Sequence, residues 1–190
     1  MKLTKLELAG AYLVEMDKIK DERGFFARSW SRPDFEEAGL NPNLAQANVA
    51  WNAEKGTLRG MHFQYSPYGE TKLVRCTRGA VYDVLVDLRP TSPTHRQWYG
   101  VELTADNHLQ LYIPEGFGHG YQTLTDDAEV SYLTTALYVP YAAGGVRYDD
   151  PAFRIKWPLA VSRISEKDAK WENYKPVSVG ANFDENFGVE

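Results

Sequence analysis

The chain has 190 residues, 43% hydrophobic and 25% charged, as in an ordinary soluble globular protein of one domain with a buried core. Its formal net charge of −5 argues against nucleic acid as a main partner, because that binding usually needs a basic face. The lone cysteine, Cys76, excludes an intrachain disulfide framework and a four-cysteine zinc site. No secretory pattern or membrane-spanning apolar run is present, so we expect a cytoplasmic protein that contacts no membrane.

The first part of the chain predicts a short strand and a short helix. Residues 12–16 have the pattern of a strand, in keeping with an aromatic content of 13%, which favours β-structure. Residues 31–39 carry helix signals, because Pro33 lies near the start, acidic residues follow it and Gly39 ends the segment. We therefore predict one short helix there.

Polar and apolar residues alternate with a period of two over residues 45–53. Gln46, Asn48 and Asn52 share one face of the predicted strand, and apolar side chains occupy the other. The pattern is compatible with an ordinary half-exposed strand. It is equally compatible with a strand whose amides line a polar cavity.

The stretch that combines most chemistry is residues 58–64, Leu-Arg-Gly-Met-His-Phe-Gln, followed by Lys72. Cationic and titratable groups are costly to bury unless they are paired, so a cluster of them in apolar β-structure indicates a site. Arg59 and His62 have opposite parity, and a regular strand would place them on different faces. A bulge at Gly60 would bring them together, but the sequence alone leaves both arrangements open.

The middle of the chain predicts a hairpin and then more strands. Residues 71–77 and 80–88 have the pattern of two paired strands around Arg78 and Gly79, and the second is largely apolar on both faces. Asp83 is therefore a candidate buried carboxylate. Further strands are predicted at residues 100–103, 109–113, 121–124 and 129–138. Many short strands separated by turn residues predict an all-β sandwich or barrel.

Residues 114–119, Pro-Glu-Gly-Phe-Gly-His, resemble the second signature of cupins, which are small jelly-roll barrels. The first cupin signature normally supplies two histidines as His-x-His, but here Gln64 stands where the second would be. His62, Glu70 and His119 could in principle supply three metal ligands. Because Gln64 is a poor replacement, we expect no metal, and a metal-dependent cupin oxygenase or isomerase stays as an alternative.

A more specific resemblance rests on motifs in order along the chain: Gln46-Ala47-Asn48, residues 58–64, Lys72-Leu73-Val74-Arg75-Cys76, Asp83, Asp87-Leu88-Arg89, residues 113–120, Tyr132, Tyr138 and Ser165-Glu166-Lys167-Asp168. This combination resembles the dTDP-4-dehydrorhamnose 3,5-epimerase family over about residues 1–171. The resemblance implies a cupin-type jelly roll that acts on nucleotide-diphospho 4-keto-6-deoxy sugars without metal or organic cofactor. It also implies a homodimer.

The resemblance implies a role for each matching residue. His62 is the base, a role suited to its ordinary pKa, and Asp168 orients it. Lys72 places positive charge at the developing enolate oxygen, and Tyr132 is the proton donor. The implied substrate-binding residues are Arg23, Gln46, Asn48, Arg59, His119, Tyr138 and Lys167. The arginines suit a diphosphate, and Arg23 is expected to reach across the dimer interface.

The same residues also have structural interpretations. Residues 165–168 form a typical helix N-terminus, with Ser165 as the cap and Asp168 in the first turn. Strand parity places Tyr132 and Tyr138 on one face, as cavity residues or as ordinary strand aromatics. His62 and His119 taken alone have the pattern of structural histidines.

Three positions depart from the family pattern. Arg28 stands where the family usually has a substrate-contacting glutamate, and Ala50 replaces a usual serine. Ala142-Ala143-Gly144 replaces a stretch that usually carries another glutamate. These departures leave open the nucleotide base, the sugar, and whether C3, C5 or both are inverted.

We therefore predict one domain over residues 1–190, an all-β cupin-type jelly roll with one or two short peripheral helices and a polar tail at about 172–190. The predicted activity is epimerisation at C3 and/or C5 of a nucleotide-linked 4-keto sugar through an enolate, converting dTDP-4-dehydro-6-deoxyglucose to dTDP-4-dehydrorhamnose. Besides the metal-dependent enzyme, a non-catalytic sugar-nucleotide-binding cupin is the other alternative.

Overall fold

The computed structural model of the protein describes residues 1–175. Within this range the strands are β1 Lys2–Lys5, β2 Tyr12–Glu15, β3 Ile19–Asp21, β4 Gly24–Phe26, β5 Gln46–Asn52, β6 Thr57–Gln64, β7 Lys72–Arg78, β8 Ala80–Asp87, β9 Trp98–Thr104, β10 Gln110–Ile113, β11 Phe117–Thr123, β12 Ala128–Thr134, β13 Ala143–Gly145 and β14 Arg163–Ile164. The helices are α1 Arg32–Glu37 and α2 Glu166–Ala169, with a 3₁₀ turn at Pro140–Ala142. The predicted all-β jelly roll with short peripheral helices is confirmed.

Two sheets hold most of these strands. The first has the order β1-β2-β10-β7-β12-β5, and the second has the order β13-β6-β11-β8-β9. Strand β14 adds to the second sheet as a parallel partner of β6, and β3 pairs with β4 in a separate hairpin. The other pairings in the described part of the chain are antiparallel, as expected for a jelly roll.

The main core lies where the inner faces of the two sheets meet. Val74 and Cys76 from β7 pack in one cluster with Val81 and Leu85 from β8. The opposite face of β8 is also buried, in a second cluster that includes Val84. This strand is therefore covered on both faces, as its apolar sequence predicts.

The predicted pairing of residues 71–77 with residues 80–88 is wrong. Strand β7 pairs with β10 and β12, whereas β8 pairs with β9 and β11 in the other sheet. The turn between them contains Gly79 at φ +69°, where the chain passes from one sheet to the other. A turn signal between apolar strands marks a change of chain direction, but the same residues occur in a hairpin and in a connection between two sheets. Here the turn connects the two sheets, because the inner faces of β7 and β8 pack against each other in the core.

The short predicted helix and the first strand are confirmed. Helix α1 covers the outer face of the first sheet, where its buried Phe35 packs with Val14 and Leu73. The chain reaches α1 from β2 through the β3–β4 hairpin, whose residues are exposed. No helix in residues 1–175 is long and apolar enough to cross a membrane. Residues 176–190, most of the predicted polar tail, lie outside the described residues.

A buried carboxylate holds the loop after β8. Asp87 is fully buried, and its oxygens accept hydrogen bonds from Arg89 Nε at 2.8 Å, Arg89 Nη2 at 2.7 Å and Thr94 Oγ1 at 2.6 Å. Burial alone would raise the pKa of Asp87, but the hydrogen bonds from Arg89, Ser92 and Thr94 outweigh it and hold the pKa below its ordinary value. The carboxylate is therefore ionised, and it stabilises the folded chain only while it stays so.

We predict that Asp87→Asn lowers the free energy of unfolding by about 2–3 kcal/mol at pH 7, because Arg89 and two hydroxyls lose a charged acceptor. Since folding depresses the pKa of Asp87, this contribution is present above the unfolded pKa of about 4 and is lost as pH falls through the folded pKa. Urea unfolding at pH 7 and below pH 4 measures both effects.

The matched control is Asp149→Asn, which breaks an ion pair of similar geometry between Arg147 and the half-exposed Asp149. Exposed pairs contribute about 0–1 kcal/mol, so the control variant should unfold nearly as the unmodified protein does. Equal losses in both variants at pH 7 would contradict a special role for the Asp87 network.

Candidate active site

A cavity of about 700 Å³ lies between the two sheets and the C-terminal helix. It is lined by side chains of β5, β7 and β12 from the first sheet, of β6, β13 and β14 from the second, and of α2. This volume is within the range of pockets that enclose a small-molecule ligand. Both walls carry polar groups, so the cavity can contact a ligand from two opposite sides.

A bulge in β6 brings Arg59 and His62 to this cavity together. Across the β6–β11 pair, His62 lies opposite His119 and Arg59 lies opposite Tyr121, so β6 holds one extra residue between these two pairings. Gly60 occupies the bulge at φ +128°, and a Cβ there would lie 2.5 Å from the Cα of Gly120. The sequence leaves open whether β6 contains a bulge at Gly60, and the structure contains one.

His62 and Asp168 form a hydrogen-bonded pair. The distance from His62 Nε2 to Asp168 Oδ1 is 2.7 Å, and Asp168 is only 4% exposed. The second oxygen of Asp168 accepts a hydrogen bond from the backbone N–H of Gly60 at 3.2 Å. Burial alone would raise the pKa of Asp168, but the contact with His62 outweighs it and leaves the pKa below its ordinary value.

Asp168 also keeps its place in the helix cap that the sequence predicts. Its backbone N–H donates to Ser165 Oγ at 3.0 Å, while its carboxylate turns to His62. The helix cap and the contact with His62 are therefore compatible, because the cap uses the backbone N–H of Asp168 and the contact uses its side chain. The cap fixes the position from which the carboxylate reaches the histidine.

On the opposite wall, Lys72 forms an ion pair with Glu70. The distance from Lys72 Nζ to Glu70 Oε1 is 3.1 Å, and both side chains are nearly buried and line the cavity. From the sequence Glu70 is a candidate metal ligand, and its pairing with Lys72 is not predicted. The available signal was the spacing of two residues, which puts both side chains on one face of an extended segment.

Tyr132 lies on β12 opposite Asn48 of β5, and both side chains line the cavity. Burial raises the pKa of the Tyr132 phenol above its ordinary value, and the charge of Glu70 adds to this rise. The phenol therefore keeps its proton at neutral pH. The inward placement of Gln46 and Asn48 agrees with the second interpretation of the alternating pattern, in which the amides line a polar cavity.

Tyr138 reaches the cavity in a way that the sequence did not predict. Strand β12 ends at Thr134, so strand parity with Tyr132 does not extend to this residue. Tyr138 lies in the following loop, where its backbone N–H donates to Gln46 Oε1 at 2.8 Å. Its ring is half exposed at the edge of the cavity.

Arg59 and Lys167 contribute positive charge to the second-sheet side of the cavity. Arg59 donates from Nε to Asn52 Oδ1 at 2.7 Å, and Lys167 Nζ lies 5.4 Å from the centre of the Trp171 ring. Arg163 lines the cavity as well, although the sequence does not mark it as a site residue. An isolated arginine in a polar segment gives no sequence signal that separates it from a solvated surface residue.

Two predicted site residues do not line the cavity. His119 is 8% exposed, with Nε2 3.0 Å and 3.1 Å from the two oxygens of Asp83, the carboxylate whose predicted burial is confirmed. Arg23 lies at the turn of the β3–β4 hairpin, where its largely exposed side chain pairs with Asp21. The residues that the structure does bring together are Gln46, Asn48, Arg59, His62, Lys72, Tyr132, Tyr138, Lys167 and Asp168.

Gln64, the residue in the missing cupin ligand position, has a structural role. Its amide N–H groups donate to the carbonyls of Tyr68 at 2.9 Å and Leu137 at 3.1 Å, and its oxygen accepts from the backbone N–H of Val139 at 2.6 Å. It thereby connects the loops after β6 and β12. Among residues 1–175, no three His, Cys, Asp or Glu side chains are grouped so that they could hold a metal ion.

Comparison with known proteins gives consistent matches. The sequence model of the dTDP-4-dehydrorhamnose 3,5-epimerase family matches residues 5–175. The dTDP-4-dehydrorhamnose 3,5-epimerase of Shigella flexneri is 41% identical over 175 residues, which cover 92% of this chain and 96% of the relative. A dTDP-4-dehydrorhamnose 3-epimerase of Streptomyces niveus is 38% identical over 169 residues, covering 88% of this chain and 81% of the relative.

A solved structure extends the match to three dimensions. The crystal structure of dTDP-4-dehydrorhamnose 3,5-epimerase from Bacillus anthracis, with TDP and PPi bound, is 40% identical and has a TM-score of 0.88. The alignment covers 91% of this chain and 99% of that one. Sequence, fold and length therefore agree, and the chain belongs to the dTDP-4-dehydrorhamnose 3,5-epimerase family of isomerases.

Proposed function

We propose that this protein inverts C3 and C5 of dTDP-4-dehydro-6-deoxyglucose to give dTDP-4-dehydrorhamnose, as a cytoplasmic enzyme without metal or organic cofactor. The observation that carries the proposal is the placement of the His62–Asp168 pair on one wall of the cavity, with Tyr132 and Lys72 on the other. Inversion of a carbon needs proton removal on one face and proton delivery on the opposite face. The family membership of the chain supports this substrate.

His62 is the proposed base. An ionised carboxylate only accepts hydrogen bonds, so the contact with Asp168 requires the proton on Nε2 of His62 and leaves the lone pair on Nδ1. A carbon beside a ketone is acidic enough for such a base to remove its proton. Asp168 then stabilises the imidazolium that forms, as in other histidine–carboxylate pairs.

Lys72 and Tyr132 complete the proposed reaction from the first sheet. The charge of Lys72 stabilises the enolate oxygen, and its pairing with Glu70 fixes the position of the ammonium. The protonated phenol of Tyr132 delivers a proton to the face of the sugar opposite His62. Because β12 and β6 belong to different sheets, the two groups approach a bound ring from different sides.

The remaining groups are proposed to bind the nucleotide and the sugar. Arg59 and Lys167 contact the diphosphate, Gln46 and Asn48 bond the sugar, and the exposed ring of Tyr138 is available to stack on the base. His119 does not line the cavity in this structure, and its proposed contact with the substrate rests on its position opposite His62 in the β6–β11 register.

We also propose a homodimer in which Arg23 reaches the partner subunit's cavity. Two exposed apolar features support it: the β3–β4 hairpin around Phe26, which is 63% exposed, and the outer face of β5, where Val49 is 66% and Trp51 is 52% exposed. A homodimer interface would cover such side chains. Arg23 would then exchange its pairing with Asp21 for the substrate's diphosphate.

The test of the proposed function is turnover of dTDP-4-dehydro-6-deoxyglucose in heavy water, followed by proton NMR. We expect deuterium at both C3 and C5 and the product dTDP-4-dehydrorhamnose, because each inverted carbon exchanges its proton with solvent. The 3-epimerase of Streptomyces niveus makes single inversion the second candidate. Deuterium at C3 alone would establish that activity instead.

Treatment with EDTA is the control for cofactor use. The proposed mechanism passes no step through a metal, so activity should persist. Activity that is lost with EDTA and restored by one added metal would favour the metal-dependent alternative. Binding of dTDP without any exchange would favour the non-catalytic one.

Substitution of His62 and Tyr132 separates the two faces of the reaction. Tyr132→Phe keeps the ring but removes the phenolic proton, so the enolate should still form and His62 can return a deuteron to the original face. We therefore expect deuterium in the recovered substrate with little inverted product. His62→Ala should lose exchange and inversion together, by a factor of about 10²–10⁴. Normal inversion by Tyr132→Phe would exclude Tyr132 as the donor.

Lys72 and Arg59 distinguish stabilisation of the enolate from binding of the diphosphate. Lys72→Ala should lower kcat more than it raises KM, because its charge matters most when the enolate forms. Arg59→Ala should mainly raise KM. Steady-state kinetics of both variants measures this, and the opposite pattern would show that the two roles are exchanged.

A further inference from the structure

Positive charge is concentrated at one end of the cavity. Its described lining includes four basic residues, Arg59, Lys72, Arg163 and Lys167, but only two acidic ones, Glu70 and Asp168. This excess occurs in a protein whose formal net charge is −5. A cavity with such a local excess of cations favours an anionic ligand.

The four cations are not equivalent, because three of them come from adjacent segments. Arg59 follows the part of β6 that pairs with β14, Arg163 lies on β14 itself, and Lys167 lies on α2, which begins just beyond β14. Lys72 comes from the other sheet and already has a carboxylate partner, Glu70. Within residues 1–175, Arg59 and Lys167 have no carboxylate partner. The uncompensated charge therefore lies at the β6–β14–α2 end.

Arg163 stands at the rim of this end and has a carboxylate outside the cavity. Its Nε and Nη2 each lie 2.8 Å from one oxygen of Glu54, and the side chains of Arg163 and Glu54 are 69% and 47% exposed. Arg163 lines the cavity, and Glu54 does not. An exposed pair of this kind contributes little to stability, so the guanidinium can exchange partners at low cost.

We propose that Arg163 is a further substrate-binding residue, which contacts the diphosphate of the sugar nucleotide, and that Glu54 competes with the diphosphate for its guanidinium. The inference rests on the proposed function and deepens it. The two-point geometry that the guanidinium makes with Glu54 is the one it would make with two phosphate oxygens. The diphosphate is the stronger competitor, because it carries more negative charge and also contacts Arg59 and Lys167.

The test compares Arg163→Ala with Glu54→Gln. Arg163→Ala removes a phosphate contact and should raise KM roughly three- to tenfold with little change in kcat. Glu54→Gln removes the competitor and should lower KM by about two- to fivefold. Arg163→Lys should restore only part of the affinity, since an ammonium cannot make the two-point contact.

The decisive result is that KM rises in Arg163→Ala and falls in Glu54→Gln. Both substitutions break the same ion pair, so a pair that only holds β14 in place would make both variants change KM and melting temperature in the same direction. That outcome would overturn the proposal. The control is Lys2→Ala, which breaks an exposed ion pair with Glu15 on the distant β1–β2 pair and should leave KM unchanged.

Calorimetric binding of dTDP and of thymidine separates this inference from the proposed function. Arg163→Ala should weaken dTDP binding by the same factor as it raises KM and leave thymidine binding unchanged.

If the unmodified protein binds dTDP but does not turn over the 4-keto sugar, the proposed function fails and the dTDP data still decide the role of Arg163. If it is active and Arg163→Ala changes neither KM nor dTDP binding, only the role of Arg163 is overturned. Failure of the unmodified protein to bind dTDP would overturn both.

Discussion

The extra residue in β6 is the constraint on which the site depends. Strands β6 and β11 approach so closely at Gly60 and Gly120 that no Cβ fits between them, and Gly60 takes a backbone conformation that other residues rarely adopt. The same bulge changes the parity of β6, so that Arg59 and His62 both line the cavity. It also directs the Gly60 N–H to the carboxylate of Asp168. One local irregularity thus positions His62, its carboxylate partner and a cation at the same cavity.

The two-sheet architecture supplies the second wall of the cavity. Strand β12 presents Tyr132 from the first sheet, while β6 presents His62 from the second, and helix α2 brings Asp168 behind the histidine. A flat single sheet could place these groups next to each other but could not place them around a ligand. The Lys72–Glu70 pair stabilises an ammonium in a nearly buried position, because the carboxylate offsets part of its desolvation.

The sequence predicted those features that depend on local pattern. Alternation over residues 45–53 predicted the strand but left open whether its amides line a cavity, and Gly60 was compatible with a bulge without requiring one. Features that depend on packing between distant segments were missed or wrong. The turn signal at Gly79 predicts a hairpin, but core packing makes this turn a corner between the two sheets. Glu70 was a candidate metal ligand in the sequence, whereas the fold pairs it with Lys72. Arg163 went unidentified because only the fold brings it to the cavity.

Strand β5 has a polar inner face and an apolar outer face, the reverse of an ordinary surface strand. In the proposed homodimer the outer face would be covered by the partner, while Gln46 and Asn48 on the inner face would contact substrate. Self-association and ligand binding would then act on opposite faces of one strand and be linked thermodynamically. Linkage is reciprocal. If dimerisation increases substrate affinity by a given factor, bound substrate must increase the affinity of the subunits for each other by the same factor.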